Sequence, residues 1–170
     1  MSEQAAVLTE RRDHVLVITL NRPEQRNAVN GDVAQGMEAA LDELENADDL
    51  WAGVLCGNGP VFCASADLKA IAGGKAHELH TERGGFGGLV RRKRTKPLVA
   101  SVHANAFAGG FELAIACDFI VAGASIRFGL PEVQRSLVAL AGLEGQVGQR
   151  PPQTMRPLAI SQLEDPQLRY

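Results

Sequence analysis

Glu112 and Glu132 stand 20 positions apart (112 to 132), each beside an apolar run. Glu112 lies near the start of an apolar run without breakers, Phe111 to Cys117, which reads as a buried helix. Glu132 follows a second apolar run and Pro131. Two carboxyls in an apolar pocket repel each other and lose solvation. Their pKa values then spread, so one stays protonated while the other accepts a proton. General acid–base chemistry needs that division. Gly109 and Gly110 stand just before Glu112, at the N-terminal end of the same helix. Free backbone N–H groups there favour developing negative charge. Taken alone, Glu112 could equally complement the helix dipole, and Glu132 could be a solvated loop acid.

These groups need a frame, and the apolar runs supply it. Leu98 to Val102, bounded by Pro97 and the small-residue loop from Ala104 to Gly110, reads as a buried strand. His14–Leu20, Trp51–Cys56 and Asp118–Ala122 read the same way, and their apolar content calls for cover on both sheet faces. From Val33 to Leu44, apolar residues at Val33, Met37, Ala40, Leu41 and Leu44 form a helical stripe. The opposite face carries Glu38, Asp42, Glu43 and Glu45 and reads as solvated. The segment from Ala72 to Gly88 holds Gly73, Gly74, Gly84, Gly85, Gly87 and Gly88, which predicts a mobile stretch, either a lid or a surface loop. The run Arg91-Arg92-Lys93-Arg94 near Lys96 has no interleaved aromatics and reads as a solvated helix face rather than a nucleic-acid patch.

The text AFAGGFELAIACD followed by FGLPE resembles the crotonase (enoyl-CoA hydratase/isomerase) family, in which a glycine N–H and two glutamates surround an acyl-CoA thioester. The resemblance implies that Glu112 and Glu132 are the acid/base pair and that Gly109 is one oxyanion donor. VFCASADLKAI resembles the family's other signature loop. By position it gives Ala66 the second oxyanion N–H and sets Ala64, Asp67 and Leu68 around the adenine and pantetheine. NRPEQRNAVN also matches, which places Arg26 and Ala28 at the nucleotide end of coenzyme A; by residue type alone it is a turn. Three positions usually filled by glycine hold Ser65, Ala104 and Ser136 instead. Glycine in such places provides positive φ or close backbone approach, so the Ser65 side chain, next to the donor Ala66, is expected to push the thioester away.

The implied fold is α/β, a crotonase-like ββα spiral over residues 1–141 that lacks most of the family's helical C-terminal region. Residues 142–170 read as a divergent, poorly ordered Pro/Gln-rich tail. The implied activity is that of an enoyl-CoA hydratase with no metal and no redox cofactor, coenzyme A being part of the substrate. An enoyl-CoA isomerase, or a non-catalytic acyl-CoA-binding fragment or decayed copy, are the alternatives. A hydrophobic fraction of 45% over 170 residues suffices for one real core, and a net charge of −3 argues against nucleic acid as the main partner. Cys56, Cys63 and Cys117 lie in or beside apolar runs at no metal-ligand spacing and read as reduced thiols. With no leader and no membrane-length apolar stretch, a cytoplasmic protein is expected. Apolar strands left without their helical cover predict a homo-oligomer or a self-associating chain.

Overall fold

The computed structural model describes residues 5–129. Strand β1 (Val7–Arg12) turns at Asp13 into β2 (Val15–Leu20), and the two pair antiparallel with Val7 opposite Leu20. Helix α1 (Gly31–Asn46) then crosses over to β3 (Ala52–Gly57), which runs parallel to β2. A short helix α2 (Leu68–Ala72) precedes β4 (Leu98–Val102), and α3 (Gly109–Ile115) precedes β5 (Phe119–Ala122). The sheet order is β1-β2-β3-β4-β5, parallel from β2 onward. Two small pairings complete it: His80–Thr81 against Gly85–Phe86, and Ala106–Phe107 beside Phe128–Gly129.

Helix α1 begins where Asn30 accepts the Val33 N–H on its side-chain oxygen at 3.1 Å, an N-cap. Its predicted stripe is the buried face: Val33, Met37, Ala40, Leu41 and Leu44 pack with Leu16, Ile18 and Leu55 of the sheet. Each such large side chain contributes roughly 1.5–3 kcal/mol when fully buried. Strand β2 alternates buried and half-buried residues, so it is less enclosed than an all-apolar reading implies. Phe119 and Val121 of β5 are exposed.

Three expectations are corrected. The acidic face of α1 is paired, not merely solvated. Glu38 and Asp42 receive Arg83 at 2.7 and 2.6 Å, and Asp42 also receives Arg92. Glu45 accepts from Thr95 Oγ1 at 2.6 Å and from the Lys96 N–H at 3.0 Å. The basic run is likewise no helix face: residues 91–96 lie outside any helix or strand, and exposed and half-buried positions alternate along them. Arg92, Arg94 and Lys96 therefore turn inward together. Arg94 bonds Asp118 and the Ala116 carbonyl, and Lys96 Nζ caps the end of α1 on the Leu44 and Ala47 carbonyls.

The third correction concerns the glycine-rich stretch. Residues 72–77 are exposed, but 84–90 are buried and bonded, with Gly87 N–H on the Leu79 carbonyl and Arg91 N–H on that of Gly84. A Cβ on Gly88 would lie 2.2 Å from the Ala34 carbonyl oxygen, so this glycine exists to let the loop backbone touch α1. Glycine here means close approach rather than mobility.

Candidate active site

Loops that leave the carboxyl ends of adjacent parallel strands are where open α/β sheets place their ligands. The residues singled out above follow that rule. Arg26 and Ala28 follow β2, Ala64, Ala66, Asp67 and Leu68 follow β3, and Gly109 and Glu112 follow β4. Glu132 and Ser136 lie outside the described residues.

Backbone bonds zip the first two loops together. Ala64 N–H donates to the Arg26 carbonyl at 2.9 Å, Val29 N–H to that of Ser65 at 2.8 Å, and Asp67 N–H to that of Val29 at 2.8 Å. In this parallel bridge the bonds fall on Ser65 and Asp67, so the intervening Ala66 turns its own N–H away from Val29. Among the described residues no acceptor takes it. Asn27, fully buried at φ +54, locks the turn from inside. Its Nδ2 donates to the Asn58 and Val61 carbonyls, and its Oδ1 accepts the Arg22 N–H.

Sequence reasoning missed Arg22. Its guanidinium donates to Asp67 Oδ2 at 2.9 Å and to the Ala28 carbonyl. Asp67 also caps α2, accepting the Lys69 and Ala70 N–H groups at 3.0 and 3.3 Å. Burial alone disfavours its charge, but Arg22 and the two amides outweigh that and hold the carboxyl below its ordinary value. Asp67 thus shapes the loop, while Arg26, Ala64 and Leu68 remain exposed beside it, Leu68 at 76%.

A folded carboxyl held below its unfolded pKa stabilises the protein above the unfolded value, and the contribution vanishes as pH falls through the folded one. Asp67→Asn should therefore lower stability near neutrality by about 1–3 kcal/mol. The deficit should shrink as the pH drops below about 4. Urea midpoints measured for both proteins from pH 7 to pH 3 test this, and a deficit independent of pH would refute it.

The third loop brings the glycines in. Helix α3 starts at Gly109, not at Phe111, and Ala108 before it has φ +51 and ψ −128, a conformation costly for any residue with a side chain. Ser65 is also at positive φ (+84), as its glycine-like position predicts, whereas Ala104 is not. A Cβ on Gly110 would stand 2.2 Å from the Cys63 carbonyl oxygen, so the two loops cross here in backbone contact. Gly109 N–H donates to Ser65 Oγ at 3.0 Å, which sets it beside the residue that precedes Ala66. Glu112, three residues on and therefore on the same helix face as Gly109, is only 4% exposed. Among the described residues no group of three His, Cys, Asp or Glu side chains could hold a metal ion, and no helix is long and apolar enough to cross a membrane.

Residues 10–155 match the family model for enoyl-CoA hydratase/isomerase. The chain belongs to that family. It is 38% identical over 131 residues to mevalonyl-coenzyme A hydratase sidH of Aspergillus fumigatus, covering 76% of this chain and 48% of that protein. Against enoyl-CoA hydratase EchA19 of Mycobacterium tuberculosis it is 38% identical over 154 residues, covering 87% and 58%. Its fold superposes on the crystal structure of an enoyl-CoA hydratase from Mycobacterium tuberculosis H37Rv with a TM-score of 0.76 at 47% identity, over 82% of this chain and 54% of that one. A carnitinyl-CoA dehydratase from Mycobacterium avium gives 0.75 at 49% identity. The chain spans about half the length of the curated relatives it matches, 48% and 50% of the first two. The crotonase-like α/β fold expected from the motifs is therefore the fold observed.

Proposed function

We propose that this protein binds an enoyl-CoA thioester and adds water across its 2,3 double bond, or runs the reverse dehydration. Hydroxide equivalent goes to C3 and a proton to C2, so the reaction is redox-neutral and needs no electron carrier and no metal. The Ala66 and Gly109 N–H groups polarise the thioester carbonyl and stabilise the charge that develops on its oxygen. Glu112 and Glu132 share the proton transfers, one taking a proton from water and the other supplying one to carbon. Arg26, Ala28, Ala64 and Leu68 hold the coenzyme A moiety, in a loop shaped by Asp67 and Arg22.

The observation that carries this reading is the meeting of the Ser65-Ala66 loop with Gly109, with a buried carboxyl three residues farther on. The hydratase and dehydratase names of the relatives support the reaction class. Loss of the conjugated-thioester absorbance of crotonyl-CoA on incubation with the pure full-length chain tests it. No loss, with coenzyme A still bound, would instead support the non-catalytic acyl-CoA-binding reading, which the occupied Gly109 N–H favours.

A further inference from the structure

The Gly109 N–H, which the proposed reaction assigns to the thioester oxygen, already has an acceptor within the chain. Ser65 Oγ lies 3.0 Å from it, inside the 2.7–3.1 Å that a carbonyl or oxyanion oxygen needs from such a donor. Two features hold the hydroxyl there. The Ser65 carbonyl is fixed by the Val29 N–H, and its φ of +84 aims the side chain across the loop crossing toward α3. The contact also occupies the space around Gly109 itself. A Cβ built on that glycine would stand 3.0 Å from the same Oγ and 2.7 Å from the Phe86 ring.

We infer that Ser65 is an internal competitor for the substrate carbonyl and sets how strongly this site prefers a thioester. Resting on the acyl-CoA reading above, the inference adds a residue that acts through Gly109 and touches no reacting atom. For the thioester to reach the Gly109 N–H, Ser65 must rotate away. One neutral hydrogen bond is then exchanged for another, and the donor contributes little net affinity. Removing the hydroxyl frees the donor and restores that contribution.

The test compares butyryl-CoA with S-butyl-CoA, a thioether that lacks only the carbonyl oxygen, by calorimetry on the full-length chain. Ser65→Ala deletes the hydroxyl and keeps the Cβ, while Ser65→Gly also relieves the positive φ. Both should raise the preference for thioester over thioether by about 3- to 10-fold, the range of one recovered neutral hydrogen bond, and leave affinity for free coenzyme A unchanged. If Ser65→Ala does not fold, Ser65→Gly carries the comparison. An unchanged preference would overturn the inference, and so would a reduced one, which would mean that the hydroxyl relays the donor to the substrate. Failure of wild type and variants alike to bind coenzyme A would overturn the acyl-CoA reading, and this inference with it.

Discussion

Glu112→Gln should lower crotonyl-CoA hydration by about 10²–10⁴-fold while leaving affinity for coenzyme A nearly intact. The amide keeps the volume and the planar shape of the carboxyl, so packing in this 4% exposed position is preserved. What it loses is the ability to give or take a proton at the pH of the assay. Binding is insulated because the residues proposed to hold coenzyme A, Arg26, Ala28, Ala64 and Leu68, lie on the other two loops, zipped to each other by backbone bonds. Steady-state kinetics with a parallel binding measurement read both halves of the expectation. Retention of more than about a tenth of the turnover would remove Glu112 from the proton chemistry.

Gly110→Ala should cost about 2–4 kcal/mol of stability and abolish any hydratase activity. The added methyl would sit 2.2 Å from the Cys63 carbonyl oxygen, and that atom is backbone, so no side-chain rotation can relieve the clash. Either the Cys63–Asp67 loop or the first turn of α3 must move. Both movements separate Ala66 from Gly109. Gly123→Ala makes a clean control, since its methyl would meet only Ile126 at 3.4 Å and should change stability by no more than about 0.5 kcal/mol. Urea midpoints for the two variants decide the matter, and equal midpoints would mean that the loop crossing is soft.

The apolar runs before ASADLK and AFAGGFELA are legible as strands from local content, whereas the grouping of Ala66 and Asp67 with Gly109 and Glu112 rested on the family resemblance alone. Strand limits came out within one residue of Val15–Leu20, Ala52–Gly57, Leu98–Val102 and Phe119–Ala122. Strand β1 escaped, since VLTERR has too little apolar content to announce itself. The charged surfaces were misread for a different reason. Glu38, Asp42 and Glu45 look like solvent-facing residues on their own helix, and Arg83, Arg92 and Lys96 look the same on their own segment. Their hydrogen bonds reach across 41 to 51 residues, which no local pattern encodes. Arg22 and Asp67, 45 residues apart, were hidden in the same way. The strain at Ala108 was also invisible, because alanine gives no sign of positive φ.

The separation of 44 positions between Ser65 and Gly109 matters before the protein is ever finished. Synthesis at about 5–20 residues per second delivers the second of these residues roughly 2–9 s after the first. For that interval the Cys63–Asp67 loop has no α3 to lean on. Its shape then depends on partners already made, the Arg26 and Val29 backbone and the Arg22 guanidinium. The nascent chain thus carries its own jig, built from the turn after β2, in which one side of the site can set before the other side has been translated. Pulse-labelling hydrogen exchange during refolding should find the Val29 and Asp67 amides protected ahead of that of Gly109, and the reverse order would show that α3 templates the loop instead.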